Sequence, residues 1–166
     1  KDFKEFLNEA HKRKIRVIWA CQARVDTFNA RMARAMKSTG CVQVDFGVES
    51  GSQRILDCIK KDIKCEETKK AFRVAKDSGL RVLATVMVGL PTETADDFSM
   101  TKNLIEEIKP DFVVPSFTMP YPGTELYAMA KGNRWIDISR KIDWRNSSEP
   151  IMAPGMPAPQ IKKAFE

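Results

Sequence analysis

Between Val42 and Glu49 apolar and polar side chains alternate one for one: Val42, Val44, Phe46 and Val48 fall on one face, and Gln43, Asp45, Gly47 and Glu49 on the other. That period of two is a strand. Its polar face carries two carboxylates, and it runs out into Ser50-Gly51-Ser52 ahead of a helical pattern. The same plan recurs along the chain. Residues 2–14 place Phe3, Phe6, Leu7 and Ala10 on one side of a helix, and residues 15–22 read as a strand. A helix bearing Phe28, Met32, Ala35 and Met36 follows, with Thr27 as its expected N-cap and Gly40 just past its end. After the 42–49 strand, Ser52 is the expected cap of a short helix through Ile55, Leu56 and Ile59. A basic turn at 60–64 leads into a helix carrying Ala71, Phe72, Val74 and Ala75 that stops at Gly79. Residues 80–89 form a third strand, with Val82, Ala84, Val86 and Val88 on one face, and Leu90-Pro91-Thr92-Glu93 breaks it. Asp96 and Asp97 suit the positive end of the next helix, whose apolar stripe is Phe98, Leu104, Ile105 and Ile108. Pro110 ends that helix, and residues 112–118 are a fourth strand with Ser116 and Thr118 directed inward.

Strand starts near 15, 42, 80 and 111 lie 27, 38 and 31 residues apart, the length of a strand–helix unit. Right-handed crossovers then give a parallel sheet. A flat sheet covered on both sides would show near-continuous apolar strands. Here Gln43, Asp45, Glu49, Thr85, Ser116 and Thr118 recur on one face, which predicts an α/β fold with a polar interior. The expected fold is an incomplete (β/α) barrel: four parallel strands with helices on the outer face. A full eight-unit barrel takes about 250 residues. The barrel portion is expected over residues 1–130. The remainder, 131–166, reads as an irregular proline-rich tail with a helix beginning near Gln160.

Composition changes this picture little. The chain is 43% hydrophobic and 30% charged, and no apolar run approaches the roughly 18 residues of a spanning helix. A cytoplasmic protein that does not associate with membranes is therefore expected. The formal net charge of +6 gathers partly at Lys60, Lys61, Lys64, Lys69 and Lys70. No aromatic residues interleave that run, so it reads as a solvated helical face rather than a nucleic-acid site. The four cysteines, Cys21, Cys41, Cys58 and Cys65, include no pair with metal-clip spacing. Cys21 and Cys41 are expected to be buried as small apolar groups.

In a parallel sheet of this kind ligands sit at the C-terminal ends of the strands. The groups there are Gln22 and Arg24, Glu49 and Ser50, Gly89 to Pro91, and Thr118 to Tyr121. They include a carboxylate, a guanidinium and hydroxyls, but no histidine, activated cysteine or phosphate-cradling glycine loop. Such a set suits a polar, zwitterionic cofactor and supplies no nucleophile of its own.

Three stretches together carry a resemblance: Gly47-Val48-Glu49-Ser50-Gly51-Ser52-Gln53-Arg54-Ile55-Leu56 followed by Lys60-Lys61, then Val88-Gly89-Leu90-Pro91-Thr92-Glu93-Thr94, then Pro120-Tyr121-Pro122-Gly123-Thr124-Glu125-Leu126-Tyr127. In order and spacing they resemble the radical S-adenosylmethionine (SAM) superfamily over about residues 15–130. Cys21-Gln22-Ala23-Arg24-Val25-Asp26 and the Pro-Tyr-Pro-Gly-Thr ending look most like the group with an N-terminal cobalamin-binding domain, of the anaerobic Mg-protoporphyrin monomethyl ester cyclase type. The resemblance implies a partial (β/α)6 barrel of which these four strands are the third to sixth.

It also implies roles for particular residues. Arg24 would approach the methionine end of SAM, Glu49 the ribose hydroxyls, and Lys61 the methionine carboxylate. Thr85 falls at a ribose-side position, while Gly89 and the strand end containing Thr118 and Met119 would line the adenine; Ser50 joins the set beside Glu49. A carboxylate can accept from two vicinal hydroxyls, and a cation suits a carboxylate. The family's Cys-x-x-x-Cys-x-x-Cys loop, which ligates three irons of a [4Fe-4S] cluster, does not occur in the sequence. The resemblance places it upstream, with cobalamin in a separate domain. The chain then reads as the C-terminal part of an enzyme that cleaves SAM reductively to a 5′-deoxyadenosyl radical, inactive as a fragment. A small-molecule substrate and an electron donor of ferredoxin or flavodoxin type are the implied partners. An exposed edge strand in such a fragment invites self-association. Two other readings stand beside it: a non-catalytic barrel module that binds a partner, and an ordinary barrel lyase or isomerase.

Overall fold

The computed structural model describes residues 3–15 and 17–136. The tail from 137 onward, with the helix expected near Gln160, lies outside the described residues. The elements alternate: α1 (Phe3–Lys12), β1 (Trp19–Ala23), α2 (Ala30–Ser38), β2 (Cys41–Glu49), α3 (Gln53–Cys58), α4 (Cys65–Asp77), β3 (Arg81–Val88), α5 (Ala95–Ile108), β4 (Phe112–Phe117) and α6 (Glu125–Gly132). The strands form one sheet in the order β1-β2-β3-β4, and all four are parallel. No described helix is long and apolar enough to cross a membrane.

The chain divides into two compact units. The first draws on the described residues up to Val48, on Asp62–Thr85 and on Asn103–Val114. Its core is aromatic: Phe46 is fully buried, 5.0 Å edge-on from Phe28 and 5.1 Å from Phe72. Ala33 and Met36 of α2, Ala71 and Ala75 of α4, and Val44, Val82 and Ala84 complete it. The second unit takes Glu49–Lys61, Val86–Lys102 and the described residues from Pro115. Ile55, Leu56, Val86, Val88 and Leu90 are its buried apolar groups, and Ala130 and Ile136 form a cluster beside Trp135.

Local differences from the sequence reading have identifiable causes. The first strand begins at Trp19, because residues 13–15 are still closing α1: Ile15 N donates to Ala10 O, and Lys14 is left-handed at φ +52°. The N-cap of α2 is Asn29, whose Oδ1 accepts from Met32 N at 3.0 Å; Thr27 instead donates to Arg24 O. The β1–β2 register shifts between Trp19 and Ala20, so Cys41 is buried where alternation pointed to Val42. Cys41 Sγ donates to Gln43 O at 3.4 Å, and the half-buried Cys21 interacts with it electrostatically: the Cys41 thiol, and burial after it, push the Cys21 pKa up, while that of Cys41 is lowered by the same interaction. At β4, Phe112, Val113 and Val114 are all exposed.

Candidate functional site

The site lies within the second unit, where β2 ends. Glu49, its last residue, is left-handed at φ +60°. That region is uncommon for a residue with a side chain and costs about 1 kcal/mol. The end of β3 turns at Gly89 with φ +78°, where glycine meets no such penalty. Glu49 Oε1 accepts from Lys61 Nζ at 2.7 Å, and both side chains are mostly buried. Lys61 is held in its turn by backbone. Its N–H returns to Leu56 O, and the residues on either side, Lys60 (φ +55°) and Asp62 (φ +52°), are also left-handed. Both halves of the pair are therefore presented by strained turns.

The pair opens onto a groove of about 440 Å³ with a largely apolar wall of Ile59, Met87, Leu90, Pro91, Leu126 and Met129. Thr118 lines it as well, but its hydroxyl donates to Val88 O at 3.1 Å. At the rim, Lys60 pairs with Glu125 at 2.9 Å, with both side chains in solvent.

The other expected residues are placed as follows. Gly89 N donates to Glu93 Oε2 at 2.7 Å. The Ser50 hydroxyl is buried against Thr101 Oγ1 at 3.2 Å, so it faces α5. Met119 is half-buried, its carbonyl accepting from Tyr121 N. Arg24 and Thr85 belong to the first unit. Arg24 donates to both oxygens of Asp26, at 3.1 and 3.0 Å, and Thr85 Oγ1 to Phe46 O at 3.4 Å.

Two carboxylates that the strand-end reading did not single out organise the loops. Asp97 Oδ1 accepts from Ser52 Oγ at 2.6 Å, and its Oδ2 from Arg54 and from Thr94 N and Oγ1. Thr94 caps α5 reciprocally by accepting from Asp97 N, and the Thr-x-x-Asp spacing is its sequence signal. Burial would raise the Asp97 pKa, but the bonds from Arg54, Ser52 and Thr94 outweigh it and hold this carboxyl well below the usual range. Ser52, at the start of α3, makes no side-chain capping bond, and its hydroxyl donates to Asp97 instead.

Glu93 is buried, accepts from Gly89 N and Leu90 N with Oε2, and leaves Oε1 without a partner. Burial pushes its pKa up, the two backbone bonds oppose that, and the nearby Asp97 charge adds to it. A carboxyl whose folded pKa is raised contributes stability below its unfolded value, and that contribution is lost as pH rises through the folded one. Glu93→Gln is therefore expected to melt above the parent at pH 8 and to converge with it near pH 4. Thermal denaturation at the two pH values checks this, and a difference independent of pH would refute it.

Two conditions for holding cofactors can be tested on these residues. The charged groups at the groove, the Glu49–Lys61 pair with Lys60 and Glu125 at the rim, stand beside an apolar wall and fit a zwitterionic nucleoside such as SAM. They do not fit an iron–sulfur cluster: among the described residues no three His, Cys, Asp or Glu side chains are grouped to hold a metal.

Comparison with known proteins places the chain in a family. Residues 1–105 match the model of the radical SAM superfamily. The chain is 35% identical over 138 residues to an uncharacterised methyltransferase of Pyrococcus horikoshii, covering 82% of this chain and 29% of that protein. It is 30% identical over 129 residues to the anaerobic magnesium-protoporphyrin IX monomethyl ester cyclase of Rubrivivax gelatinosus, covering 76% and 23%. The structure of the radical SAM methyltransferase TsrM from Kitasatospora setae, solved with cobalamin and a [4Fe-4S] cluster, superposes with a TM-score of 0.65 at 18% identity, covering 98% of this chain and 34% of that one.

The chain belongs to the radical SAM superfamily of enzymes, and its fold is that of the family's partial (β/α) barrels. Membership implies SAM and a [4Fe-4S] cluster as cofactors. The chain spans less than a third of the length of these two curated relatives.

Proposed function

We propose that this chain forms part of the SAM-binding portion of a radical SAM catalytic barrel, with the Glu49–Lys61 pair as its anchor. Glu49 receives the ribose hydroxyls and Lys61 the methionine carboxylate. Gly89, Thr118 and Met119 border the adenine, which lies along the apolar wall of the groove. Ser50 contributes through its backbone, since its hydroxyl is bonded to Thr101.

The observation that carries this reading is the Glu49–Lys61 pair itself, with Glu49 on left-handed backbone and Lys61 set between two left-handed residues, Lys60 and Asp62, beside a groove of suitable chemistry. A structural ion pair gives no reason for such strain, whereas a ligand site does. The parent reaction is reductive cleavage of SAM to a 5′-deoxyadenosyl radical, driven by an electron from a [4Fe-4S] cluster whose thiolates lie outside this stretch. Residues 1–166 alone are then expected to bind SAM weakly and to leave it intact. The small-molecule substrate, a ferredoxin- or flavodoxin-type donor and a cobalamin-binding domain belong to the parent protein. The cobalamin in TsrM supports the last of these.

The test is titration calorimetry of SAM into the reconstituted full-length protein under anaerobic conditions. Lys61→Met, which removes one charge-assisted bond to the carboxylate, is expected to weaken binding about tenfold. An unchanged affinity would overturn the assignment.

A further inference from the structure

One wall of the groove runs from Glu49 at the end of β2 to the residues that close α3, another is the Leu90–Pro91 turn after β3, and α6 lines a further side. Arg54 joins the first two without lining the groove. Its Nη1 donates to Thr92 Oγ1 at 3.0 Å, its Nη2 to Thr92 O at 2.8 Å, and Nη2 also to the buried Asp97. Ser52, two residues earlier, reaches the other oxygen of Asp97. Behind them Gly51 N and Ser50 Oγ both bond to Thr101 Oγ1, which donates to Asp97 O. The Gly51 amide and the side chains of Ser50, Ser52 and Arg54 are thus tied to the first turns of α5 or to the Thr92 loop.

We propose that Arg54, Ser52 and Asp97 form a positioning latch that sets the spacing of the Glu49–Lys61 pair from the Leu90–Pro91 wall, and so sets affinity for the nucleoside half of SAM. Arg54 is a positioning residue. Its guanidinium head is half-exposed and reaches the cofactor only through the loops it joins. A planar fork is needed because three acceptors in different directions are served at once, which a lysine ammonium on a flexible stem does not reproduce. The proposal rests on the assignment of the groove to SAM.

The experiment measures 5′-deoxyadenosine release by the full-length reconstituted enzyme as SAM is varied, for Arg54→Gln, Arg54→Lys, Asp97→Asn and Lys61→Met. Arg54→Gln and Asp97→Asn are expected to raise KM for SAM about tenfold while the rate at saturating SAM changes less than about twofold. Arg54→Lys is expected to recover only part of the loss, and it supplies the reading if Arg54→Gln does not fold. A lower rate at every SAM concentration with KM unchanged would mean that the latch only stabilises the fold, and the proposal would fall. If Lys61→Met raises KM and the Arg54 variants do not, the latch fails alone; if neither moves KM, the groove assignment fails with it.

Discussion

Glu49→Gly is expected to bind SAM about a hundredfold more weakly while keeping the stability of the parent to within about 1 kcal/mol. The two effects come from different parts of the same residue. The backbone at φ +60° is one that glycine adopts without penalty, so removing the side chain relieves about 1 kcal/mol of strain. Against this stands the loss of a partner for Lys61, whose side chain keeps about a quarter of its exposure and can turn to water. For SAM the balance is different. Two hydroxyl-to-carboxylate bonds at a largely buried oxygen pair disappear with nothing in their place, a loss of about 3 kcal/mol or roughly two decades in Kd. Paired denaturation and calorimetric titration of the full-length protein decide the matter. A variant that loses stability and affinity in parallel would mean that Glu49 serves the fold, and the functional reading would then lack its main support.

Gly51→Ala should damage the fold itself. A Cβ built on Gly51 comes 2.4 Å from Met100 O and 2.6 Å from Thr101 Cα, both backbone atoms of α5. A flexible side chain could move aside, but a helix backbone moves only with its neighbours. Here α5 is also held by Asp97 and Thr101 to the turn that contains Gly51. The overlap is expected to cost about 3 kcal/mol, near the upper end for a single added methyl in a packed region. For a protein of this size that lowers the thermal midpoint by roughly 6–12 °C. A midpoint within about 2 °C of the parent would show that α5 packs on this turn more loosely than the distances indicate.

Much of the architecture could be read from alternation alone. Val82, Ala84, Val86 and Val88 form the buried face of β3, and the order of strands and helices follows the expected units. These features depend on local periodicity and on burying one face, both of which leave a mark on the chain. Glu49 and Lys61 stand out in the sequence for a different reason, the motif they share with a family. Their pairing twelve residues apart depends on how α3 ends, and that was not written in the pattern. Left-handed backbone at Glu49 and at Lys60 and Asp62, on either side of Lys61, is imposed by tertiary packing against local preference, so residue type gives no hint of it.

Glu93 and Asp97 were hidden for a third reason. Leu90-Pro91-Thr92-Glu93 reads as a strand breaker, and an aspartate in the first turn of a helix reads as dipole compensation. Only the folded chain shows that one carboxylate holds the Gly89 and Leu90 amides and the other holds Arg54 and Ser52. Thr27 suits an N-cap by residue type, but the helix begins two residues further on, where Asn29 Oδ1 accepts from Met32 N and the Thr27 hydroxyl donates to Arg24 O.

The left-handed turns at Glu49, Lys60 and Asp62 also bear on how a cofactor would arrive. A loop that had to find this conformation around each incoming molecule would slow every encounter and give back part of the contact energy as lost disorder. Here that ordering is completed when the chain folds. A cofactor meets acceptor and cation already in register, and the rate of capture is left to diffusion and charge rather than to loop closure.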